Sequence, residues 1–437
     1  MVKPTALATT LTETLVTRKE NAMLSIIATR RHRRTTVTSL LLVSIAALTA
    51  CSSSSSTSTS SSSANASGGT IKIGVITTLT GPIAPGVAGT LDGAKVAADV
   101  INSQGGVLGK KIQVLSADDG FDAATGVAAM RQMSGNGVGL FLSSADTDVC
   151  LGQEPLLQQL NAVMITLVCS TADLTGPNVN PRFFRVNSYI PELLGGLAAY
   201  VCDNLKGVTR FDEINYNYTT TVNASQVLAA DFLHTCGIKQ GTNVLTPSTT
   251  GAALPYVNDL LAHVGPNSAQ NSVLFLDTIG SQAIDFMKQA TATGLFKKYR
   301  AVVADLGVWN QIVSAAGSAA PPIAYTSGDY YYSAFNTPQN ATFVKAYQAA
   351  YGTEPDGSAL EGYRAMDAMV AAIKAAGSTS PAAVAKALAG LTFANPSGMT
   401  TINATTHEGN QPTVITRWQG ATPVSGSVVS FAAATGG

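Results

Sequence analysis

The chain has 437 residues, of which 46% are apolar and 12% are charged, and its 26 basic and 26 acidic side chains balance. This length predicts two domains, because a single hydrophobic core usually serves about 100–200 residues. The apolar content excludes a mostly disordered chain, the even charge argues against a nucleic-acid binder, and no apolar run reaches the roughly 18–20 residues of a membrane-spanning helix.

Residues 1–50 have the composition of an export signal. Four arginines between residues 30 and 34 precede a largely apolar stretch at 37–50. A basic segment followed by about 7–15 apolar residues is typical of a secretory signal peptide and is too short to span a membrane. Residues 1–22 precede a second methionine, Met23, and such a signal does not require them. We therefore expect that the start codon has been assigned too early.

Residues 48–51 read Leu-Thr-Ala-Cys and resemble the bacterial lipobox. The resemblance implies that Cys51 is lipidated and becomes the N-terminus of the mature protein. Every residue from 52 to 63 is Ser or Thr, and such a tract has nothing to bury. We expect residues 51–69 to tether an extracytoplasmic domain to the cell membrane through a lipid anchor. Cleavage before Cys51 leaves 19 basic and 24 acidic side chains, a net charge of about −5.

The remaining four cysteines are candidates for disulfide bonds. An extracytoplasmic compartment is oxidising, so paired cysteines are expected there. Four cysteines allow three different pairings. Proximity in the sequence favours Cys150 with Cys169 and Cys202 with Cys236.

Strands and helices alternate along the body of the chain. A β-branched run predicts a strand at 71–76, and apolar residues spaced for one helical face predict a helix at 91–102. The same patterns then predict strand 111–115, helix 123–133, strand 139–142, helix 154–160 and strand 162–168. After residue 190 they predict helix 191–205, strand 213–216, helix 224–233, strand 272–276, helix 281–293 and strand 301–304. Such βαβ units form parallel sheets, whose ligands bind at the carboxyl ends of the strands.

Several of these stretches resemble the Leu/Ile/Val-binding protein family, which comprises type I periplasmic binding proteins serving ATP-driven importers. The opening IKIGVITTLTGPIA, from residue 71, and the Gly-rich turn at 102–106 match in order and spacing. Further similarity is found at 163–175, 183–185, 288–295 and 361–367. The resemblance extends over most of residues 70–420.

The resemblance implies an α/β fold with two Rossmann-like lobes, whose parallel sheets are joined by a three-crossover hinge. The first lobe would comprise residues 70–187 and 327–390, and the second residues 188–326 and 391–437. One small molecule would bind in the cleft between the lobes of a monomer. Hinge closure around the ligand follows naturally from this arrangement.

Two loops of the first lobe are candidates for binding a carboxylate. Ser143 and Ser144 follow a predicted strand and precede a helix that begins near Asp146, and helix N-termini suit anions. In the family, this loop and the loop after the next strand hold the carboxylate of an amino acid. The candidate ligand-binding residues here are Ser143, Ser144, Thr147, Cys169, Ser170 and Thr171. The alternative is that the hydroxyl groups only cap helices.

The second lobe departs more from the family. In the family a carboxylate from this lobe meets the ammonium group of the ligand, and the candidates here are Asp277 and Asp305, either of which alternatively caps the following helix. One of Tyr216 and Tyr218 is expected to face the cleft. The aromatic residue expected in the first loop is replaced at Pro85-Gly86, so a ligand other than a branched-chain amino acid remains open.

Sequence motifs of enzymes are absent. The glycines at 105–109 are too close together for a phosphate loop, and Lys111 replaces the residue that would hold magnesium. His234, His263 and His407 have no metal-ligand spacing. We therefore expect a binding protein without catalysis, cofactor, metal or nucleic-acid partner, which delivers an amino acid or related compound to an ABC permease. The alternative is a lipoprotein that senses a ligand and presents its closed form to a signalling receptor.

Overall fold

The computed structural model describes residues 68–435 except 82, 177, 218, 248–251, 279 and 306–308. The predicted export signal, Cys51 and nearly all of the tether therefore lie outside the described residues. The described residues form two α/β lobes, each built on its own sheet, and a separate two-stranded hairpin. None of the helices in this part combines the length and the apolar character that crossing a membrane requires.

The first lobe is built on a five-stranded parallel sheet with the strand order β2-β1-β3-β4-β5. The strands are β1 (Thr70–Thr77), β2 (Lys111–Asp118), β3 (Leu140–Ser143), β4 (Val163–Thr166) and β5 (Phe183–Arg185). The helices between them are α1 (Ala84–Val87), α2 (Gly89–Ser103), α3 (Ala123–Gly135) and α4 (Thr147–Gln153). Strands β3 and β4, inside the sheet, are fully buried, which is typical of parallel sheets covered on both faces.

The helix predicted at 154–160 is wrong. The chain instead forms α4 over Thr147–Gln153 and then a single 3-10 turn over Glu154–Leu156. Pro155 explains the early end, because proline has no N–H with which to continue an α-helix. The start of a helix near Asp146 is as predicted, and the Asp146 carboxylate caps the helix by accepting a hydrogen bond from the Asp148 amide at 3.2 Å.

The second lobe is built on a seven-stranded sheet with the order β14-β13-β10-β9-β8-β6-β7. Strands β6 to β10 run parallel to one another, whereas β13 and β14 are antiparallel to their neighbours. The strands are β6 (Arg210–Tyr216), β7 (Lys239–Thr246), β8 (Ser272–Asp277), β9 (Ala301–Ala304), β10 (Ile323–Gly328), β13 (Thr413–Gln419) and β14 (Thr422–Val429). The helices are α5 (Ile190–Asn204), α6 (Thr219–Cys236), α7 (Leu254–His263), α8 (Ser268–Asn271), α9 (Gly280–Thr293), α10 (Trp309–Ala316) and α14 (Phe431–Thr435).

A later stretch of chain returns to the first lobe and completes its core. It contains α11 (Pro338–Tyr351), α12 (Gly357–Ala376), α13 (Pro381–Leu388) and the hairpin of β11 (Thr392–Asn395) and β12 (Gly398–Thr401). Helix α12 packs directly on α2. Glycine is required at this crossing, because a Cβ on Gly93 would lie 1.8 Å from the Ala359 carbonyl oxygen and one on Gly362 would lie 1.9 Å from that of Thr90.

The lobe boundaries differ from the predicted ones at two places. Residues 391–402 were assigned to the second lobe, but Phe393 and Ile402 are buried in the core of the first lobe. Residues 327 and 328 were assigned to the first lobe, but they belong to β10 of the second sheet. Both corrections follow from burial of apolar side chains and strand pairing, which the local sequence pattern does not reveal.

Two disulfide bonds lie within the described residues. One joins Cys150 in α4 to Cys169 in the loop after β4, and the other joins Cys202 in α5 to Cys236 at the end of α6. This is the pairing that proximity in the sequence favoured. Each bond therefore lies within a single lobe.

Candidate functional site

The carboxyl ends of the strands in the two lobes face each other. Helix α1 follows β1 of the first sheet, and α10 follows β9 of the second. These two helices are in contact with each other. The loops at the carboxyl ends of the two sheets therefore meet at one cleft, which is where ligands of open α/β sheets bind.

In the first lobe, the hydroxyl groups of Ser143 and Ser144 are committed to partners inside the protein. Both residues are fully buried at the end of β3. Ser143 Oγ donates to Gln153 Oε1 at 2.7 Å, and Ser144 Oγ donates to Asp119 Oδ2 at 2.6 Å. Asp119 also accepts a hydrogen bond from Thr78 Oγ1 at 2.6 Å. Because a hydroxyl group has a single proton, neither serine has one left to donate to a ligand carboxylate in this arrangement.

The same loop leads into α4, whose N-terminus already carries a carboxylate. Asp146 is the N-cap, and its own amide donates to Ser144 Oγ at 3.1 Å. Thr147, the first residue of the helix, is half-buried. The N-terminus of this helix is therefore already capped by a side chain of the protein itself.

The second predicted loop, after β4, contains Cys169, Ser170 and Thr171. Cys169 is fully buried in its disulfide bond, and Thr171 accepts a hydrogen bond from the Asp173 amide at 3.3 Å, which caps a 3-10 turn. Thr171 Oγ1 donates in turn to the carboxylate of Asp173 at 3.3 Å. Ser170 is buried, and its backbone carbonyl accepts a hydrogen bond from the Ile190 amide at 3.2 Å. Of the three predicted residues in this loop, Cys169 and Thr171 are thus already engaged within the protein.

In the second lobe, the ends of four strands place polar side chains in one row. Asn215 of β6 pairs in register with Asp277 of β8. Phe275 and Tyr325 both pair with Val303 of β9, so that Asp277 and Ser327, two residues further along, flank Asp305. We call Asn215, Asp277, Asp305 and Ser327 the polar row.

All members of the polar row lie on the same face of the second sheet. The alternate residues that precede them on each strand are buried in the core beneath α5 and α6, and side chains two positions apart on a strand point to the same face. Each member of the row is itself no more than 2% exposed. The row therefore forms a polar edge to an otherwise apolar layer at the carboxyl end of the sheet.

Several oxygen atoms of the polar row have no hydrogen-bond partner among the described residues. They are Asn215 Oδ1, Asp277 Oδ2, Asp305 Oδ1 and Ser327 Oγ. Glu213, two residues before Asn215 on β6, has an unpaired Oε2 as well. Buried polar atoms are nearly always paired in folded proteins, so such a concentration is a feature to be explained.

The carboxyl groups of the row have strongly shifted pKa values. Burial raises the pKa of Asp277 well above its usual range, and the nearby carboxyl groups of Asp305 and Glu213 raise it further. Burial raises the pKa of Asp305 to about 7, although hydrogen bonds from its own backbone amide and from Asp277 act in the opposite direction. Burial also raises the pKa of Glu213, which hydrogen bonds such as that from Ser225 Oγ at 2.7 Å partly offset.

The three chain crossings between the lobes are held together by one buried arginine. Arg364 of α12 forms an ion pair with Asp329, which directly follows β10. Asp329 also accepts a hydrogen bond from the Ser188 amide at 3.1 Å, in the crossing between β5 and α5. Arg364 Nη1 donates to Gln411 Oε1 at 3.3 Å, in the crossing that precedes β13. We call these four residues the hinge network.

A second buried arginine lies close to the first crossing. Arg185 at the end of β5 forms an ion pair with Glu408 at 3.6 Å, and its guanidinium group lies 5.0 Å from the ring centroid of Tyr189. Glu192, in the first turn of α5, accepts a hydrogen bond from the Tyr189 amide at 3.3 Å. Burial raises the pKa of Glu192 well above its usual range, and the charge of Asp329 raises it further.

The structure brings together some of the residues that the sequence predicted for the second lobe. Asp277 and Asp305, proposed as separate candidates, lie side by side. Tyr216 is the last residue of β6, and Tyr218 lies outside the described residues. The sequence analysis did not select Asn215 or Ser327 as candidates. Each lies two residues after a buried residue of the same strand, and that spacing is the signal that identifies it. Glu213, two residues before Asn215 on the same strand, was not selected as a candidate either.

Among the described residues, no three or more His, Cys, Asp or Glu side chains are arranged to hold a metal ion. A surface groove at the amino ends of β1 and β3, lined by Lys72, Asn161 and Pro381, lies at the opposite edge of the first sheet from the cleft. The cleft and its polar row thus remain the candidate functional site.

Curated relatives share part of the sequence. The chain is 32% identical to Leu/Ile/Val-binding protein homolog 3 of Brucella melitensis biotype 1 over 143 residues, which is 33% of this chain and 39% of that protein. It is 24% identical to Leu/Ile/Val-binding protein homolog 1 of Brucella suis biovar 1 over 322 residues, 73% of this chain and 82% of the relative. The first match thus covers about two fifths of the relative's length, and the second covers most of it.

Solved structures share the fold. The leucine-binding protein LivK from Thermotoga maritima superposes with a TM-score of 0.72 at 18% identity, covering 82% of this chain and 99% of that one. A solute-binding protein from R. palustris in complex with benzoate superposes with a TM-score of 0.70 at 17% identity, covering 83% and 96%. Identities this low establish the type I periplasmic binding protein fold and nothing further.

The sequence profile of the periplasmic binding protein family matches residues 70–423, which is most of the chain. The match includes the first sheet, the second sheet except for most of β14, the three crossings and the whole polar row. Members of this family bind solutes and do not transform them, and the family implies an extracytoplasmic location. The chain belongs to the periplasmic binding protein family, as the resemblance in its sequence predicted.

Proposed function

We propose that this protein captures a small organic molecule between its two lobes outside the cytoplasm and delivers it to an ABC importer. The observation that carries the proposal is the cleft itself, where strand ends of two separate sheets face each other beside buried oxygen atoms that have no hydrogen-bond partner among the described residues. Such groups gain hydrogen bonds when a ligand enters, and this gain stabilises the bound state.

The mechanism is binding followed by closure of the lobes. A ligand that contacts both sets of strand-end loops stabilises the arrangement in which the lobes are close together. The crossings around Ser188, Asp329 and Gln411 are the places where the backbone would rotate, because they are the connections between the two lobes. The importer would recognise the closed form.

The ligand that fits best is an amino acid or a related compound. The solved relatives differ in what they hold, since one from Streptococcus pneumoniae is a complex with isoleucine and one from R. palustris is a complex with benzoate. In this chain, the second lobe presents the carboxyl groups of Asp277 and Asp305 and the unpaired oxygens beside them. A ligand with N–H donors satisfies these acceptors, whereas a simple aromatic acid brings no donor to them.

We further propose that the mature protein is anchored to the membrane by lipid on Cys51. The support is the lipobox-like sequence at 48–51 and the Ser/Thr tract that follows it. The tether would let the two lobes reach the importer while the anchor keeps the protein at the membrane surface.

A ligand screen tests the proposed function. The purified protein is heated with each member of a panel of amino acids, amides, short-chain acids and aromatic acids, and its melting temperature is recorded. A ligand at 100 times its dissociation constant is expected to add about 2.7 kcal/mol to the free energy of unfolding. If no compound in the panel raises the melting temperature, the proposed amino-acid-like ligand is wrong.

A further inference from the structure

We propose that Arg185 is a positioning residue that couples the loop after β4 to two of the three crossings between the lobes, so that this loop and the crossings move as one unit. We call residues 169–175 the β4 loop. The inference rests on the proposed function and deepens it, because it names the side chain through which a ligand on this loop acts on the crossings. Arg185 acts through the β4 loop and needs no contact with the ligand.

The first part of the connection runs from the guanidinium group to the β4 loop. Arg185 is the last residue of β5 and is only 1% exposed. Its Nη2 donates to the backbone carbonyl of Thr171, and its Nη1 donates to Thr175 Oγ1 at 3.2 Å. These two residues cap the 3-10 turn Ala172–Leu174 at its two ends. One planar group with two donors therefore fixes both ends of this turn.

The second part runs from the same guanidinium group to the crossing that precedes β13. Glu408 in that crossing forms the ion pair with Arg185 at 3.6 Å, and its Oε1 also accepts a hydrogen bond from Thr175 Oγ1. The Thr175 hydroxyl group thus accepts from the arginine and donates to the glutamate. Just beyond the loop, the Gly176 amide donates to the Thr406 carbonyl at 3.2 Å. The C-terminal end of the β4 loop is therefore bonded to this crossing.

The backbone of Arg185 joins two crossings directly. Its amide donates to the His407 carbonyl at 3.0 Å, and its carbonyl accepts from the Gly409 amide at 2.9 Å. These bonds form a parallel bridge between Arg185 and Glu408. The ring of His407 also stacks on Phe184, with 4.2 Å between the ring centroids. The crossing between β5 and α5 and the crossing before β13 therefore leave the first lobe side by side at Arg185.

The charge of Arg185 makes these contacts strong. Burial lowers the pKa of Arg185 to about 10, although the charge of Glu408 acts in the opposite direction, so the guanidinium group stays charged at neutral pH. Hydrogen bonds from a charged donor are about twice as strong as neutral ones. Lysine keeps the charge but is a point charge without the planar fork. The connection therefore depends on arginine and not on a positive charge alone.

This connection gives the β4 loop an influence on closure. Closure of the lobes changes the backbone of the crossings. Because Arg185 bonds the β4 loop to two crossings, a ligand that holds the loop in place also restrains them. Without the connection, the loop and the crossings move independently, and binding must order each of them separately. Ordering costs free energy, so the affinity falls.

Hydrogen exchange tests the connection without a ligand. In Arg185→Lys the positive charge remains, but the two donors of the fork are lost. The amide hydrogens of Gly176 and Gly409 should then exchange at least about tenfold faster, because loss of a hydrogen bond to a charged group weakens local protection by about this factor. Exchange in the purified protein is followed by mass spectrometry of its peptides. The loop at 143–146, after the neighbouring strand β3, should keep its exchange rate.

Arg210→Lys is the matched control, since it removes a fork from another pair with a buried carboxylate. Arg210 donates to Asp212 Oδ1 from Nε at 2.9 Å and from Nη2 at 2.6 Å. It is the first residue of β6, at the end of the second sheet that points away from the cleft. This variant should leave exchange at Gly176 and Gly409 unchanged. Slow exchange of either amide in Arg185→Lys, or equal changes in the two variants, would overturn the coupling.

Calorimetry with L-leucine links the coupling to capture. Arg185→Lys should weaken binding of L-leucine by at least about tenfold, whereas Arg210→Lys should bind it like the unmodified protein. Adding Glu408→Gln to Arg185→Lys should weaken binding little further, since both residues act through one connection. Equal affinities of the two arginine variants would contradict a role of Arg185 in capture. If no compound of the thermal panel binds, the proposed function falls, and hydrogen exchange still decides whether Arg185 couples the β4 loop to the crossings.

Discussion

Arg364 holds together parts of the chain that are distant in sequence. Its side chain is fully buried, and its partners Asp329 and Gln411 lie in two different crossings between the lobes. Asp329 in turn accepts a hydrogen bond from the amide of Ser188 in the remaining crossing. The guanidinium group of Arg364 thus connects all three crossings. It contacts two of them directly, through Asp329 and Gln411, and the third through the bond between Asp329 and Ser188.

Removal of this arginine should destabilise the protein strongly. In Arg364→Gln, Asp329 stays buried without its counter-charge, and breaking a buried pair in this way typically costs about 3–5 kcal/mol. The free energy of unfolding, measured with urea, reports the loss. Arg131→Gln, on the exposed surface of α3, is the matched control and should lie within about 0.5 kcal/mol of the unmodified protein. Equal stability of the two variants would show that the hinge network contributes little.

Individual side chains of the site were harder to predict than its location. Ser143 and Ser144 were correctly placed at the end of a strand, but their hydroxyl groups face Gln153 and Asp119. Asp119 lies 25 residues before Ser144, and local sequence patterns do not reveal which hydroxyl it binds. Asp277 and Asp305 were found because each directly follows a run of apolar residues, whereas their contact depends on strand order.

At the scale of elements, the disulfide between Cys150 and Cys169 connects a helix and a loop that follow neighbouring strands of the first sheet. It joins α4, which follows β3, to the loop after β4. The bond between Cys202 and Cys236 instead joins the ends of two helices in the other lobe. The first bond therefore restrains the loops that flank the cleft, and the second restrains the layer of helices.

The two disulfides should have similar effects on stability and different effects on binding. Their sequence separations are 19 and 34 residues, for which loop entropy predicts about 3 and about 4 kcal/mol. The double variants Cys150→Ala/Cys169→Ala and Cys202→Ala/Cys236→Ala should both lose stability against urea. Affinity for a compound found in the thermal screen should fall mainly in the first. Equal losses of affinity in both variants would argue against a role for the first bond in positioning the loops.

Three elements with a clear apolar pattern were predicted closely, whereas a strand in which polar residues dominate was missed. Strands β1 and β9 and helix α9 were predicted within one residue at each end. Strand β7 reads KQGTNVLT, in which polar residues dominate, and it was missed because it lies at the edge of its sheet and is largely exposed. The C-terminal strands β13 and β14 were expected only as part of the second lobe.

At the scale of the whole molecule, the fold could be predicted from sequence because βαβ alternation and family resemblance agree. The boundaries between the lobes could not, since the hairpin of β11 and β12 packs on a core formed by residues far away in the chain. The N-terminal segment adds a further level of organisation. If residues 1–50 are removed on export, the mature protein is acidic, with a net charge of about −5.

Membrane anchoring can be tested at this scale. Cys51→Ser removes the thiol that lipidation requires, so we expect the protein to be released from the membrane or to remain unprocessed. Cells are labelled with a fatty-acid analogue, and label on the protein is compared between the variant and the unmodified chain. Ser52→Ala, in the adjacent tract, serves as the control and should retain the label. Label that persists in Cys51→Ser would contradict anchoring through this residue.

The path of the chain between the lobes has a consequence for the order in which they are built. The first lobe needs α12, at Gly357–Ala376, to cover α2, and the second sheet needs β13 and β14, at Thr413–Val429, to complete its edge. Neither lobe can therefore finish folding until nearly the whole chain has been synthesised. An export pathway that moves unfolded polypeptides would receive this chain before either hydrophobic core has formed. The late completion of both lobes therefore suits passage across the membrane in an unfolded state.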